Sequence, residues 1–358
     1  MVSRSAFGSA FEFGVFLEFP RYGAQSDAEA FAQSFAQADA AERLGFDAVW
    51  LAELHFAPER SIASAPLVLA SAVAARTRRT KVGIAVQVLP LCHPLRLCEE
   101  VATLDHISDG RLILGVGRSG IPRSYEAYGV PYGESRERFA EVLEILQRSM
   151  RQDRFSFAGN FYSYKDIAVV PRPQPSLATR LRVAATSDDT YKAIGTMGLP
   201  IFVAVRLGTI EELGPQIEAY RAAWRAAGHA GQGEVYLRVP IYVGDSAAAA
   251  HDPEDSILQF YRALGAQLER SAALVGMRAS ERRAERGQAL QTISWPDVLR
   301  DKVIVGTPDA VVARLAELVR TLGLAGVLAE LNCGGRLAAD KVMRSLHLMS
   351  EHVLPHFR

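Results

Sequence analysis

The sequence predicts an α/β fold of the (β/α)8 TIM-barrel class, on the evidence of three features of its 358 residues. Eight strand-like segments alternate with helix-like segments along the chain. The strands are rich in Val, Ile and Leu, which is typical of a parallel sheet covered on both faces. No linker-like composition divides the chain, so we expect one barrel domain over 1–358, with a doubly wound open sheet as the alternative.

The eight predicted strands follow from short apolar runs bounded by turn or helix signals. They lie at residues 12–19, 46–51, 81–90, 111–117, 181–186, 200–205, 235–243 and 325–331. Between them apolar residues recur with helical periodicity. This predicts helices at 27–45, 66–77, from about 93, and at 134–150, 190–197, 210–227 and 337–352.

Two segments interrupt this alternation. Residues 154–175 alternate aromatic and polar side chains around Gly159-Asn160, which predicts an inserted β-hairpin. A long insertion at about 271–304 separates strands 7 and 8, and its charged part, 278–291, predicts a mobile loop or helical lid. A solvated surface excursion is the alternative reading of that part.

Composition and charge exclude several classes of function. Lys plus Arg and Asp plus Glu number 40 each, so no excess of positive charge indicates nucleic acid or an anionic membrane. The sequence shows no secretory signal and no apolar run long enough to span a membrane, so we expect a cytoplasmic protein. Cys92, Cys98 and Cys333 lack metal-ligand spacing, and no metal site is expected.

The stretch GFDAVWLAELHF, residues 45–56, changes from apolar to ionisable at its end. Alternation along an extended chain puts Glu53 and His55 on the same side. They are candidate catalytic groups at the mouth of a site, although two satisfied polar groups at a buried strand end would look the same.

Gly115, Gly117 and Gly120 have the GxGxxG spacing of a dinucleotide site. No helix begins at the third glycine and no acidic residue closes a following strand, so we reject that interpretation. Arg118 directly after the strand could bind a phosphate, with a surface ion pair as the alternative, and the glycines could admit a flat ligand or relieve crowding in the barrel.

A second candidate anion site follows the strand at 181–186. Thr186, Ser187 and Thr190 surround a predicted helix start, where free N–H groups and the helix dipole attract phosphate. Ordinary helix capping explains the same residues.

Together these segments resemble the luciferase-like flavin monooxygenase family over essentially the full chain. The resemblance rests on GFDAVWLAELHF, on residues 81–120 and 185–200, and on VIVGTPDAVVARL and ELNCGG. It implies a barrel that binds flavin mononucleotide (FMN) at the C-terminal ends of its strands, usually as a homodimer. It also implies phosphate contacts from Arg118, Ser187 and Thr190, with Thr186 and Gly117 adjoining, and a cis peptide bond between Ala85 and Val86 against the flavin ring.

The activity that the resemblance implies is oxidation of a small, apolar organic substrate by O2 and reduced FMN. A separate flavin reductase would supply the reduced flavin. Five aromatic residues at strand ends or in adjoining loops are candidates for the walls of the substrate pocket: Phe16, Phe56, Tyr125, Tyr128 and Phe202.

The sequence departs from bacterial luciferase at two positions. Leu54 stands where luciferase has its catalytic histidine, and Gly117 replaces a reactive cysteine. Light emission is therefore not expected, and the substrate stays open. Two alternatives remain: a hydride-transfer oxidoreductase that uses a deazaflavin coenzyme, and a non-catalytic flavin-binding barrel.

Overall fold

Eight parallel strands close into a barrel in the computed structural model, which describes residues 11–186, 188–272 and 277–358. In chain order, the strands that form the barrel are the first four, the seventh to the ninth and the eleventh of the eleven strands in the structure. Each pairs with the next in this order, and the eleventh pairs with the first, which closes the barrel. The strands in chain order are β1 (Glu12–Leu17), β2 (Ala48–Leu51), β3 (Lys81–Val88), β4 (Leu112–Gly117), β5 (Phe155–Ala158), β6 (Ser163–Ile167), β7 (Leu181–Ala184), β8 (Ile201–Ala204), β9 (Val235–Val243), β10 (Ile304–Gly306) and β11 (Gly326–Glu330).

The predicted barrel is confirmed, and each of the eight predicted strands overlaps one barrel strand. Every residue of β1, β2, β4 and β11 is buried, because one face points into the barrel and the other packs against helices. The short strand β10, which the sequence does not predict, pairs with the end of β9.

Helices follow the barrel strands and cover the sheet. Among the described residues they are α1 (Asp27–Arg43), α2 (Pro66–Arg76), α3 (Pro94–Ile107), α4 (Pro122–Ala127), α5 (Ser135–Arg151), α6 (Asp188–Met197), α7 (Ile210–Ala226), α8 (Glu254–Ala272), α9 (Met277–Gln291), α10 (Trp295–Asp301), α11 (Pro308–Leu322) and α12 (Ala339–Leu348). Within these ranges no helix has both the length and the hydrophobicity that a membrane span requires.

The predicted hairpin is present as the antiparallel pair β5 and β6. Phe155 and Phe157 are buried while the residues between and after them are exposed, as the alternating pattern requires. The carboxylate of Glu141 on α5 accepts the backbone N–H of Asn160, which fixes the turn to the barrel.

The described insertion between β9 and β11, the last two barrel strands, contains three helices before β10. Its helices α8, α9 and α10 begin at Glu254, earlier than the boundary at 271 that the charge pattern indicates. The pattern placed the boundary too late because α8 carries apolar residues that pack inward, among them Ile257 and Tyr261.

The lower end of the barrel, at the start of its strands, holds a buried ion pair. Arg182 Nη1 donates to Glu12 Oε1 over 2.8 Å, and Lys81 Nζ donates to Glu12 Oε2 over 2.8 Å. The Arg182 guanidinium carbon lies 3.5 Å from the ring centroid of Tyr236, and Trp50 fills the barrel above. Burial alone would raise the pKa of Glu12, but Arg182 and then Lys81 hold it below its usual value.

Candidate functional site

The predicted site residues that the structure describes follow β1, β2, β3, β4, β7 and β8 or lie near their C-terminal ends. Because the strands are parallel, these ends meet at one rim of the barrel, where barrel enzymes carry their active sites. Glu53 and His55 follow β2, Ala85 and Val86 lie in β3, and Arg118 follows β4.

A surface of small side chains lies where β3 and β4 end. The peptide bond between Ala85 and Val86 is cis, as the resemblance implies. Ile84 of β3 pairs with Leu114 of β4, and Gln87 pairs with Val116, so two residues of β3 lie opposite one residue of β4 at this bond. Ala85 and Val86 are half-buried, and a Cβ added to Gly117 would lie 2.6 Å from Val86 Cγ2. Only glycine therefore fits at position 117, and the small residues leave room for a flat ligand to approach.

Crowding also explains Gly115. A Cβ at this position would lie 2.1 Å from the carbonyl oxygen of Ile84 and 2.4 Å from the ring of Phe202. At both positions the glycine relieves crowding within the barrel, and at Gly117 it also belongs to the small-residue surface.

Glu53 and His55 are brought together, as their alternation predicts, although β2 itself ends at Leu51. His55 Nε2 lies 2.7 Å from Glu53 Oε1, and both side chains are largely buried. The other carboxylate oxygen of Glu53 accepts the Gln87 amide N–H at 2.8 Å and the Val88 backbone N–H at 2.7 Å. These three contacts hold the carboxylate between the ends of β2 and β3.

This arrangement determines where His55 can take up a proton. An ionised carboxylate only accepts hydrogen bonds, so next to ionised Glu53 a neutral His55 ring would carry its hydrogen on Nε2 and direct it to Glu53. The bare Nδ1 atom then faces Tyr128, whose hydroxyl lies 3.3 Å away and can donate to it. His55 is thus oriented to act as a base at Nδ1.

Cys92 lies beside the same carboxylate. The Gln87 amide contacts its Sγ at 3.3 Å, and Sγ approaches the Val88 carbonyl at 3.4 Å. Burial and then the Glu53 charge raise the pKa of the Cys92 thiol to about 12. The thiol is therefore protonated at neutral pH and is not a nucleophile there.

Arg118 lies at the N-terminus of α5. Its Nη1 approaches the Ser135 hydroxyl at 3.4 Å, and its carbonyl accepts a hydrogen bond from the Tyr125 hydroxyl. Within the described chain no carboxylate pairs with this half-buried guanidinium. The surface ion pair that the sequence allows for Arg118 is therefore not seen among the described residues.

The N-termini of α5 and α6 lie close together. Arg136 in the first turn of α5 is 3.9 Å from Asp189 in the first turn of α6. Thr190 lies one residue further along α6, Thr186 is exposed before it, and the predicted Ser187 lies outside the described residues. Two helix N-termini and Arg118 thus share one region, which favours binding of a phosphate, while Arg136 balances the charge of Asp189.

The predicted aromatic wall divides into two groups. Phe56 and Tyr128 are each 49% exposed and pack on His55 with centroid distances of 5.9 and 5.2 Å. Phe56 also has a φ of 55°, a backbone conformation that aromatic residues rarely adopt. The other three, Phe16, Tyr125 and Phe202, are buried.

A cluster of charged residues occupies the opposite part of the rim. Arg60 donates to Glu18 over 2.5 and 3.2 Å, and Arg238 bridges Glu18 at 2.7 Å and Glu330 at 2.8 Å. Arg206, after β8, approaches Glu18 at 3.9 Å. We call these five residues the rim cluster.

The sequence analysis missed the rim cluster, Gln87, Ser135 and Arg136. A signal for part of the cluster was present, because Glu18, Arg206 and Glu330 lie at even spacing from the inward-facing Phe16, Phe202 and Leu328. The alternation that identified Glu53 and His55 therefore applies to these strands as well. Nothing comparable marked Ser135 or Arg136.

Several known proteins resemble this chain in sequence. It is 37% identical over 206 residues to an uncharacterised protein of Sinorhizobium fredii, a match that spans 55% of this chain and 60% of that protein. It is 26% identical to limonene 1,2-monooxygenase of Rhodococcus erythropolis, over 97% of this chain and 86% of that enzyme.

Solved structures share the fold. A monooxygenase from Streptomyces bottropensis matches with a TM-score of 0.78 and 25% identity, over 97% of this chain and all of that one. The oxygenating constituent of 3,6-diketocamphane monooxygenase from Pseudomonas putida, in complex with FMN, matches with a TM-score of 0.77 and 19% identity, over 97% and 98%. The coenzyme F420-dependent tetrahydromethanopterin reductase of Methanopyrus kandleri matches with a TM-score of 0.73 and 17% identity, over 98% and 100%.

The family model of luciferase-like monooxygenases matches residues 11–325, which include all the barrel strands except β11. The chain therefore belongs to the luciferase-like monooxygenase family.

Proposed function

We propose that this protein is a monooxygenase that uses reduced FMN and O2 to oxidise a small organic substrate with a largely apolar body. Membership of the family and the FMN complex of the Pseudomonas putida relative support this reaction class. That relative is described as an oxygenating constituent, which supports a separate reductase as the source of the reduced flavin.

The observation that carries the proposal is the surroundings of Arg118. Its guanidinium has no carboxylate partner in the described chain and lies beside Ser135 at the start of α5. The small-residue surface of Ala85, Val86 and Gly117 adjoins it at the ends of the neighbouring strands. An isoalloxazine ring on that surface and a phosphate near Arg118 and Ser135 fit these residues, and Thr186, Ser187 and Thr190 complete the proposed set.

His55 is the residue that we propose to move protons. Glu53 holds its Nε2–H, so Nδ1 can accept a proton from a reacting group or from the Tyr128 hydroxyl. Phe56 and Tyr128 provide apolar surface next to it, and Phe16, Tyr125 and Phe202 remain proposed pocket residues at greater depth. When bound, the reduced flavin would supply the electrons that activate O2.

Anaerobic titration with reduced FMN, followed by stopped-flow mixing with oxygenated buffer, tests this proposal. We expect binding at micromolar concentrations or tighter and reoxidation kinetics that differ from those of free reduced FMN. Failure of reduced FMN to bind at these concentrations would exclude the proposal.

A deazaflavin-dependent hydride transfer is the second candidate, and one observation favours it. Arg283 of α9 approaches the Tyr132 hydroxyl at 3.4 Å, and Tyr132 packs on Tyr125, which contacts Arg118, so this region holds a second arginine besides Arg118. Arg136 is also near, but it pairs with Asp189. Parallel titrations with FMN and coenzyme F420 distinguish the two functions. Tighter binding of coenzyme F420 would favour the second.

A non-catalytic flavin-binding barrel predicts a different result. Reduced FMN would then be consumed at the same rate with and without every substrate of a broad panel, and no oxidised product would form.

We further propose that the protein is a cytoplasmic homodimer, on the basis of the family. Sedimentation equilibrium measures the number of chains in the assembly.

A further inference from the structure

The rim cluster contains more positive than negative charge. Its three guanidinium groups, Arg60, Arg206 and Arg238, face the two carboxylates of Glu18 and Glu330, which leaves one positive charge in excess. The cluster is largely buried, and a charge that has been removed from water is costly unless it is paired. An excess of one positive charge therefore favours binding of an anion at this cluster.

The three arginines are not equivalent. Arg60 contacts Glu18 with two nitrogen atoms, and Arg238 bridges Glu18 and Glu330. Arg206 approaches Glu18 only at 3.9 Å, beyond hydrogen-bond distance, and the described part of the chain offers its guanidinium no hydrogen bond. Its side chain is also the most accessible, at 25% exposed against 15% for Arg60 and 13% for Arg238.

Arg206 and Glu18 are both charged at neutral pH. Burial and the neighbouring Arg60 and Arg238 lower the pKa of Arg206 to about 10, which still leaves it protonated. Burial would raise the pKa of Glu18, but Arg60, Arg238 and Arg206 hold it well below its usual range.

An aromatic ring from the insertion lies beside Arg206. Phe260 on α8 lies 5.1 Å from the Arg206 guanidinium and 5.3 Å from that of Arg60, measured to the ring centroid. A guanidinium in a cation–π contact can still donate hydrogen bonds through the N–H groups on the planar edge that points away from the ring. That planar edge is complementary to a carboxylate, which can accept two parallel hydrogen bonds.

We propose that Arg206 binds a carboxylate group of the substrate, so that the protein oxidises a small organic monoanion with an apolar body. Neighbouring rings such as Phe260 would contact the apolar body of this substrate. The identification of this ligand as the substrate rests on the proposed function, whereas the binding of the anion does not.

Calorimetric titration of the full-length protein with matched pairs of ligands tests the proposal. The pairs are hexanoate with hexanamide and benzoate with benzamide, in which charge changes while shape is kept. We expect the carboxylate of at least one pair to bind about tenfold more tightly than its amide, because a charge-assisted hydrogen bond is replaced by a neutral one. Arg206→Met should abolish this preference, and Arg206→Lys should retain part of it.

The control variant is Arg344→Met, which removes an exposed arginine paired with Asp245 and should leave the preference unchanged. Thermal unfolding checks that each variant is folded; if Arg206→Met is not, Arg206→Lys and competition by chloride in the unmodified protein give the result. Equal affinity for acid and amide in both pairs, or a preference that survives in folded Arg206→Met, would overturn the proposal. Normal binding of reduced FMN in the same preparation would show that the proposed function survives that failure.

Discussion

Glu53 Oε1 lies 2.7 Å from Nε2 of His55, while its second oxygen is held by Gln87 and Val88 at the end of β3. Leu54, at the position of the luciferase base, is buried and donates its backbone N–H to the Ala63 carbonyl. The only ionisable ring in this loop, residues 52–56, is that of His55, and we expect the Glu53 carboxylate to set its tautomer.

Replacement of His55 tests its role as a base. We expect His55→Gln to lower kcat by about 100-fold or more, because general-base catalysis typically contributes factors of about 10² to 10⁴. Product formation under saturating reduced FMN measures the effect. Tyr128→Phe keeps the ring that packs on His55 and removes only the hydroxyl, so it should cost much less than His55→Gln. Equal losses in the two variants would contradict the assignment.

Replacement of the Glu53 carboxylate tests how the ring is oriented. In Glu53→Gln the amide oxygen would accept the N–H groups of Gln87 and Val88, and the NH2 group would face Nε2 of His55 as a donor, so the fraction of His55 in the Nε2–H tautomer should fall. Nitrogen-15 NMR of the labelled histidine measures this fraction directly. An unchanged tautomer ratio in the folded variant would show that Glu53 is only a structural carboxylate between β2 and β3.

Arg118 should contribute to FMN affinity through the phosphate. We expect Arg118→Ala to weaken binding of reduced FMN about 10- to 100-fold, since hydrogen bonds to charged groups contribute about 1.5–3 kcal/mol. Binding of reduced riboflavin, which lacks the phosphate, should change little in the same variant. A similar loss for both ligands would place Arg118 away from the phosphate.

Two glycines of the GxGxxG pattern offer a matched comparison. The added methyl of Gly117→Ala would lie 2.6 Å from Val86 Cγ2, so the ends of β3 and β4 must move apart. We expect a loss of about 1–3 kcal/mol in the free energy of unfolding, together with weaker flavin binding. Gly120→Ala meets no atom within 4 Å and is the control. Denaturant titration of both variants measures the difference.

The buried pair of Glu12 and Arg182 should make stability depend on pH. The pKa of Glu12 is lowered from 4.5 in the folded protein, so its contribution to stability is present above that value and is lost as pH falls through the folded-state pKa. We expect Glu12→Gln to cost about 3 kcal/mol at pH 7, because it leaves the buried Arg182 without its partner charge. The difference between variant and parent should shrink below pH 4.5. A difference that is independent of pH would indicate a packing effect instead.

The fold was predictable because its signals are local. Each barrel strand is a short apolar run, and the alternation within 154–175 gave the hairpin. Pairing of Glu53 with His55 was also predictable, because the two residues are separated by one position and lie on the same side of an extended segment.

Contacts between distant parts of the chain could not be predicted in this way. Arg238 and Glu18 are 220 positions apart, and their contact depends on closure of the barrel, which no local pattern encodes. The meeting of Arg136 with Asp189 likewise requires the relative placement of two helices. Ser135 carries no sequence signal, because a serine in the first turn of a helix is ordinarily explained by local capping.

The helices between β9 and β10 contact two separate regions of the barrel rim, the rim cluster and the surroundings of the proposed phosphate position. Phe260 on α8 packs on Arg206, and Arg283 on α9 reaches Tyr132 near the proposed phosphate position. One continuous piece of chain, residues 254–301, therefore contributes to the surroundings of both proposed ligands, while none of the eight barrel strands belongs to it. Exchange of this piece as a cassette is thus a route to new substrate selectivity on an unchanged barrel.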